Sequence, residues 1–357
     1  MSESMTVVGL DVHKAQTVAA VLDPATGELS VQRLRGEPER VVPVFLQELE
    51  RPVRAVYEAG PTGFVLARVG KERGLDIAVV APGSIPRASG DRVKTDRRDA
   101  KRLVRLLAAG ELSFAFVPSE TDERFRDVVR CVEDARKDLM RSRHRLSKFL
   151  LRRGVRSPCK SWTWAHEQWL AKVSFDDALS QTVFLDYLCA EQALVQRRRA
   201  LVGVLEGAVA QSSHAQAVER LRCFRGIDTL TAAGLCAEVG NFDRFSKPSL
   251  LSGFLGVVPS DSKRFQGQIT KAGPSHARRL LVEAAQHYRR RPAVGMGLQA
   301  RQAGQDQRVV QIAWRAQLRL HERWTHLSGR RGKPSGTVAI ACARELAAFC
   351  WEAATLD

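Results

Sequence analysis

The stretch TVVGLDVHKAQTVAAVLD, residues 6–23, decides the fold expected for the first hundred residues. Two β-branched runs flank the turn-forming HKAQ, and LSVQRLRG supplies a third run after another turn. Such runs are typical of strands joined by hairpins. After them, helical periodicity in PERVVPVFLQELE and TGFVLARVGKERG alternates with the short apolar runs RAVYEAG and DIAVVAP. We therefore expect three strands followed by a helix, a strand, a second helix and a fifth strand.

Hairpins followed by parallel crossover units predict a mixed sheet with helices packed on it. This order is that of the ribonuclease H-like α/β fold, which we assign to a domain at residues 1–115. From Ser119 a helical pattern without Gly or Pro runs to about Arg153, and a second pattern covers roughly 163–207. Together they predict an antiparallel pair or coiled-coil arm, a helical linker at residues 116–212. A mainly helical domain at residues 213–357 completes the predicted chain.

The composition indicates a polyanionic partner. Lys and Arg number 56 against 39 Asp and Glu, which gives a net charge of +17 and a pI near 10.2. Nucleic acid fits this balance better than a membrane surface, because no apolar run approaches the roughly 18 residues of a spanning helix. The amino terminus also lacks the basic start and the apolar stretch of a signal peptide. We expect a cytoplasmic protein without a membrane partner.

Four carboxylates occupy informative positions. Asp96 and Asp99, three residues apart in KTDRRDAKRL, lie on one face if this stretch is helical, and on an ordinary surface the neighbouring bases would pair with them. Asp11 and Glu58, however, occur in apolar strands, where a carboxylate is costly to bury unless it is paired or bound to metal. In a ribonuclease H-like sheet the first and fourth strands are neighbours, and the helix after the last strand packs beside their ends. We therefore expect the four side chains to converge.

A cluster of up to four negative charges with oxygen ligands only favours Mg²⁺ or Mn²⁺. Two such ions about 3.5 to 4 Å apart activate the attacking oxygen and stabilise the leaving oxygen in phosphodiester chemistry. The basic residues beside the acids, Lys94, Arg97 and Arg98, would hold a phosphate backbone. The sequence thus predicts a metal-dependent nuclease or strand-transfer centre.

The motifs GLDVHK, YEAGPTGF, KTDRRDAKRL, GFLGVVPS and GQITKAGPSHARRLLVEAA occur in an order that resembles the DEDD-type insertion-sequence transposases, relatives of the Piv invertases. The resemblance implies a RuvC-like catalytic domain, a coiled-coil linker used for assembly and a carboxy-terminal transposase domain. It also implies recombination of DNA at the element's ends and at a target, with a structured non-coding bridge RNA choosing both sites. On this resemblance the four catalytic acids are Asp11, Glu58, Asp96 and Asp99.

The resemblance further implies a serine nucleophile in the carboxy-terminal domain, where the match departs from the family pattern. The family places this serine before a glycine, between VPS and the ITKAG stretch, whereas VPSDSKRFQGQITKAG is a few residues shorter and has no Ser-Gly. Ser262 is the candidate and Ser260 the alternative, unless both only cap a turn. The basic segment 263–291 is expected to contact nucleic-acid backbone through the following side chains: Lys263, Arg264, Lys271, Arg278 and Arg279.

Two other functions stay open on the sequence. A hydrolytic junction nuclease would use the acids with water as the nucleophile and would cut branched DNA without attaching to it. A non-catalytic nucleic-acid-binding protein, such as a degenerate copy, would bind tightly and salt-dependently without metal-dependent chemistry. The intact acids argue against the second function, and the missing Ser-Gly argues for it. The expected partners are element and target DNA, a structured RNA and further copies of the chain as a dimer or tetramer, in the bacterial nucleoid.

Overall fold

A computed structural model describes residues 5–23, 26–49, 52–85, 95–262 and 265–356 of the protein. Strands and helices alternate in its first part. In chain order they are β1 (Thr6–His13), β2 (Gln16–Leu22), β3 (Leu29–Arg35), α1 (Pro38–Glu48), β4 (Val53–Glu58), α2 (Val65–Glu72), β5 (Asp76–Val80) and α3 (Asp96–Ala108). This order confirms the prediction made from the β-branched and apolar runs.

The five strands make one mixed sheet in the order β3-β2-β1-β4-β5. β1 pairs antiparallel with β2 and β2 with β3, whereas β1 and β4 are parallel, as are β4 and β5. Leu10 of β1 lies opposite Tyr57 of β4. Because parallel strands end at the same edge of a sheet, the next residues, Asp11 and Glu58, lie at one edge. The prediction that the first and fourth strands are neighbours is confirmed.

Helices cover both faces of this sheet. Val8 and Leu10 of β1 are buried with α1 and α2, whereas Val7 is buried with α3 on the opposite face. Side chains alternate along a strand, so Asp11 and His13 share the α3 face with Val7. The alternation of β1 therefore directs its two polar side chains towards the helix that carries the predicted acid pair.

A glycine in β1 allows α3 to approach closely. A Cβ atom on Gly9 would lie 2.4 Å from the carbonyl oxygen of Ala100 and 2.6 Å from the amide nitrogen of Val104. Both distances are shorter than any real Cβ contact, so a larger residue would displace the helix. Glycine at this position thus brings the backbone of α3 directly onto β1, two residues before Asp11.

The second part of the chain is mainly helical. Its elements are α4 (Glu120–Arg152), α5 (Trp164–Leu170), α6 (Ala178–Gln211), α7 (Ala215–Leu221), α8 (Thr229–Val239), α9 (Pro248–Phe254), β6 (Pro259–Ser262), β7 (Phe265–Ile269), α10 (Ser275–Ala285), α11 (Met296–Gln302), α12 (Gln307–Thr325) and α13 (Ser335–Ala354). The prediction of one continuous helix over 163–207 is wrong. Asp177 accepts a hydrogen bond from the amide of Ser180 at 2.7 Å and begins a new helix there.

The two long helices α4 and α6 pack as an antiparallel pair. Arg143 of α4 donates to Glu191 of α6 at 2.8 Å, and Arg197 of α6 lies 3.5 Å from Asp138 of α4. Residue numbers therefore rise along one helix as they fall along the other. The predicted pairing of two long helices is thus seen, and the use of this pair in assembly stays a prediction.

Contacts within the chain define two units, Met1–Ser119 and Glu120–Asp357. Phe125, Val129 and Val132 of α4 share one hydrophobic core with residues of α8, α10, α12 and α13. The first half of α4 thus packs with the carboxy-terminal helices, and the predicted division into three domains stays a prediction. Among the described helices, none combines the length and the apolar composition that crossing a bilayer requires.

Candidate metal centre

The end of β1 and the first turn of α3 bring three potential metal ligands together. His13 Nε2 lies 3.3 Å from Asp11 Oδ2 and 3.6 Å from Asp96 Oδ1. One ligand atom from each residue lies within 4.8 Å of the other two. These residues, Asp11, His13 and Asp96, are termed the acidic cluster below. Two of the four predicted acids thus meet in the structure.

A helix cap explains why α3 begins at the acidic cluster. The hydroxyl oxygen of Thr95 accepts a hydrogen bond from the amide of Arg98 at 3.4 Å. The cap places Asp96 and Asp99 in the first turn, where the helix dipole favours negative charge. The helix terminus therefore offsets part of the repulsion between two carboxylates that lie three residues apart.

The surroundings of Asp11 favour a bound cation. Burial raises the pKa of its carboxyl group, His13 lowers it, and the negative charges of Asp96 and Asp99 raise it, so that the pKa lies above its usual value. A divalent ion would relieve this repulsion. The donor set of two carboxylates and one imidazole fits such an ion, and imidazole suits transition-metal ions better than Mg²⁺.

Glu58 and Asp99 are not part of the acidic cluster. Glu58 ends the strand next to β1, and Asp99 lies in the same first turn of α3 as Asp96. Glu58 is the exposed last residue of β4, and strand alternation puts it on the face of Val56, which is buried with α3. Asp99 is half-buried, and its charge acts on the pKa of Asp11. The catalytic roles of both residues stay predictions.

His13 is the candidate ligand that the sequence prediction omits. The sequence prediction takes only the aspartate of GLDVHK as a ligand, although side chains two residues apart in a strand share one face. That spacing is the signal that could have identified His13. The prediction of a purely oxygen-lined cluster is therefore incomplete, because the structure adds an imidazole nitrogen within 3.6 Å of both aspartates.

The candidate serines lie on the antiparallel hairpin of β6 and β7 in the second unit. Ser260 is exposed, and its hydroxyl donates to the carbonyl oxygen of Gln268 at 2.8 Å. This hydrogen bond ties Ser260 to the opposite strand. Ser262 ends β6, and its side chain lies outside the described part of the chain. The choice of nucleophile stays a prediction.

Of the basic residues predicted to contact phosphates beside the acids and the serines, the structure describes only some. Arg97 and Arg98 are exposed in the first turn of α3. Lys94, Lys263 and Arg264 lie outside the residues that the structure describes. Their contacts with a nucleic-acid backbone stay predictions.

Lys271 lies in the loop that precedes α10, and Arg278 lies in the first turn of this helix. Arg278 Nη1 donates to the carbonyl oxygens of Leu255 at 3.0 Å and Ala272 at 2.8 Å. Lys271 is exposed and has a positive φ of 56°, which only a few per cent of residues other than glycine adopt. Arg278 thus holds two backbone segments together, whereas the Lys271 side chain is exposed to solvent.

Arg279 takes part in a second group of charged residues, which we term the ionic cluster: Arg130, Glu133, Glu238, His276 and Arg279. Arg279 donates to Glu133 at 2.8 Å. His276 Nδ1 lies 3.4 Å from Glu238, and Arg130 lies 3.3 Å from the same carboxylate. Burial opposes ionisation of Glu238, but hydrogen bonds from His276 and Arg130 lower its pKa to about 2. The cluster connects α4, α8 and α10.

The mixed sheet, with carboxylates at the end of β1 and in the first turn of α3, defines an α/β domain of the ribonuclease H type with a candidate metal centre. Two family models match this chain. One, described as "Transposase IS116/IS110/IS902 family", covers residues 218–319. The other, a DEDD transposase model of the IS110 group, covers residues 8–153. The DEDD match covers most of the first unit and extends through α4 of the second unit, and the other match lies wholly in the second unit.

Two curated relatives match nearly the whole chain. The "Putative transposase y4qE" of Sinorhizobium fredii is 40% identical over 358 residues, which cover 96% of this chain and 87% of the relative. The "Transposase for insertion sequence element IS1533" of Leptospira borgpetersenii is 32% identical over 337 residues, covering 91% and 97%. The chain therefore belongs to the IS110 family of insertion-sequence transposases, enzymes that cut and rejoin DNA. Membership of the DEDD family implies a divalent metal ion.

Proposed function

We propose that this transposase acts on DNA at a Mg²⁺- or Mn²⁺-dependent centre formed by Asp11, Glu58, Asp96 and Asp99. The observation that carries the proposal is the approach of Asp11 and Asp96 at one edge of the sheet in a member of this family. A bound divalent ion would supply electrostatic stabilisation of the charge that develops on phosphodiester oxygens. The alternative of a non-catalytic copy is disfavoured by the approach of Asp11 and Asp96 with His13 beside them.

The elements that carry these residues would preorganise the site. Asp11 comes from a central strand and Asp96 from the capped end of a helix, so the carboxylates are positioned before DNA binds. His13 would complete the donor set beside them. Arg97 and Arg98, exposed on the same helical turn, would contact phosphates of the bound strand.

We extend the proposal to a serine nucleophile, Ser262, with Ser260 as the alternative. The Ser262 hydroxyl oxygen would form a bond to a DNA phosphorus while the bond from that phosphorus to the departing strand's oxygen breaks, and the serine proton would be transferred to that departing oxygen. A serine hydroxyl is a weak nucleophile at its ordinary pKa, so this step needs assistance from the acid-bound metal or from a base.

The partners belong to the same proposal. A structured non-coding RNA would choose the DNA sites, and the net charge of +17 supports a nucleic-acid partner of this kind. The helical pair would join copies into a dimer or tetramer through the linker at 116–212, on bacterial DNA in the cytoplasm. Large apolar side chains exposed along α6 support such an association: Leu179, Val183, Leu185 and Val204.

Covalent trapping tests the proposed chemistry. The protein, the non-coding RNA encoded beside its gene and labelled element-end DNA are incubated with Mg²⁺ and then denatured. We expect a DNA–protein adduct that disappears in Ser262→Ala and in Asp11→Ala. Asp76→Asn is the matched acid control, because Asp76 pairs with Arg54 at 3.1 Å at the start of β5, the opposite edge of the sheet.

The outcomes separate the remaining functions. Loss of the adduct only in Ser260→Ala would move the nucleophile to Ser260. Cleavage without any adduct would indicate a hydrolytic nuclease that uses water. Binding without cleavage, in the presence of either Mg²⁺ or Mn²⁺, would contradict the proposal and identify a copy that has lost its chemistry.

A further inference from the structure

The carboxy-terminal end of α4 and the connection to α5 form a surface of one charge. Residues 141–164, termed the basic tip, contain eight Lys or Arg and no Asp or Glu. Three nearby acids are already engaged: Asp138 pairs with Arg141, Glu191 accepts from Arg143, and Asp177 caps α6. The basic tip therefore carries positive charge without compensation from its own residues.

Five cations of the basic tip are available for a ligand. They are exposed, and none of them pairs with a carboxylate in the part of the chain that the structure describes: Arg145, Lys148, Arg152, Arg156 and Lys160. The first three follow helical spacing and form a stripe about 10 Å long on α4. The other two lie in the connection that leads to Trp164. A row of unpaired cations of this length is suited to a phosphate backbone.

Trp164 is the unusual residue of this surface, because 75% of it is exposed. Its two neighbours of the same type are held in place: Trp162 packs under Arg143, 4.6 Å from the ring centre, and Trp169 lies against His166. The Thr163 hydroxyl donates to the carbonyl oxygen of Lys160 at 2.8 Å and so anchors the turn before Trp164. The structure thus presents one indole ring to solvent from an ordered support.

We propose that the basic tip binds single-stranded nucleic acid, with Trp164 stacking on an unpaired base and the five cations contacting phosphates. An exposed aromatic face beside unpaired cations is the combination that single-strand binders use, and the bases of a duplex are covered by their neighbours. A second copy of the same surface is a poor occupant, because the five unpaired cations of each copy would face those of the other. The site adds a nucleic-acid contact in the second unit and does not depend on the chemistry proposed for the acidic cluster.

Fluorescence anisotropy with the full-length protein tests this site in the absence of divalent metal. The probes are a labelled single strand of about 12 nucleotides, as DNA and as RNA, and the duplex of the same sequence. We expect Trp164→Ala to bind both single strands about tenfold more weakly and the duplex unchanged, and Trp164→Phe to recover most of the affinity. Trp314→Ala, which removes a 40% exposed tryptophan of α12, is the matched control and should bind as the wild type does.

The contribution of the cations to strand binding is measured separately, from the salt dependence of the affinity. Replacement of Arg152, Arg156 and Lys160 by Ala should reduce the slope of log affinity against log salt by about 2, whereas Trp164→Ala should leave this slope unchanged. A stronger effect on RNA than on DNA would identify RNA as the source of the strand. Unchanged single-strand affinity in Trp164→Ala would overturn the proposal. The proposal would also be overturned if light scattering showed a lower oligomeric state of Trp164→Ala while strand binding was unchanged. The indole ring would then belong to a contact between protein chains.

Discussion

The acidic cluster and the ionic cluster both contain carboxylates and a histidine, but the pKa of a carboxylate is raised in the first and lowered in the second. Burial and neighbouring carboxylates raise the pKa of Asp11 despite the nearby imidazole. Glu238 is more deeply buried, with only 6% of its side chain exposed, yet its pKa is lowered to about 2 because Arg130 and His276 hydrogen-bond to it. A carboxylate whose charge is not compensated can bind a cation, whereas a carboxylate that is paired with cationic side chains stabilises the fold.

The two clusters also differ in what positions them. The acidic cluster depends on a backbone approach, because α3 packs on β1 where Gly9 has no side chain. The ionic cluster depends on long side chains that reach between three helices, as in the bonds from Arg279 to Glu133 and from Arg130 to Glu238. Disturbing the backbone should therefore affect the first cluster, and removing a single charge should affect the second.

The largest expected effect is that of Gly9→Ala. The added Cβ would collide with the backbone of α3 and move Asp96 away from Asp11. A displacement of about 1 Å at a catalytic site can reduce the rate about 100-fold, and overpacking a core costs about 1 to 3 kcal/mol of stability. The measurements are the rate of DNA cleavage and joining and the free energy of unfolding.

Gly83→Ala is the control for this change, because a Cβ at Gly83 meets nothing within 4 Å. The Gly9 variant should retain the acid dependence of stability that the ionic cluster produces. A cleavage rate equal to that of the wild type in Gly9→Ala would show that the site does not require the close approach of α3.

Glu238→Gln tests the compensated cluster and should destabilise the protein at neutral pH by about 2 kcal/mol, since the charge-assisted bonds from Arg130 and His276 are lost. The folded pKa of about 2 lies below the usual value of 4.5, so this stability is complete above pH 4.5 and is lost as the pH falls towards 2. Urea unfolding of both proteins at neutral pH and near pH 2 measures the difference.

The matched control is Glu283→Gln, because the carboxylate of Glu283 is exposed and pairs with Arg279 at 2.7 Å. Its effect should stay within about 0.5 kcal/mol, as for other surface pairs. If the difference between wild type and Glu238→Gln persisted undiminished at low pH, the lowered pKa would not be the source of the stability.

His13→Ala should have the smallest effect and would show whether the imidazole distinguishes the acidic cluster as a metal site. We expect the affinity for Mn²⁺ to fall about tenfold. This is the smallest loss of metal affinity typical when a group that supports a metal site is removed. The affinity for Mg²⁺ should change less, because imidazole is a better ligand for transition-metal ions. Calorimetric titration measures both, and electron spin resonance of bound Mn²⁺ should show nitrogen coupling that the variant lacks. His144→Ala, at an exposed position of α4, is the control. Retention of the coupling in His13→Ala would exclude His13 as a ligand.

Much of the first unit could be predicted from local patterns. The β-branched runs from Thr6 to Arg35 and the apolar runs after them specified the strands, because a period of two and a period of 3.6 are properties of neighbouring residues. The break before α6 was missed, since the helical periodicity resumes after Asp177 and the cap itself is a single residue. The spacing of two residues indicates that His13 shares a face with Asp11, but its contact with Asp96, 83 residues further along the chain, is not contained in any local pattern.

The sequence by itself determined the chain order of strands and helices in the first unit, the long helices, the basic character of the chain and the presence of four acids at informative positions. Only the tertiary structure decided which charges are compensated. It placed His13 between Asp11 and Asp96, and it paired Arg279, which the sequence predicts to contact nucleic acid, with Glu133. The physical reason is that ionisation depends on distance and burial in three dimensions, which the linear spacing of charges does not contain.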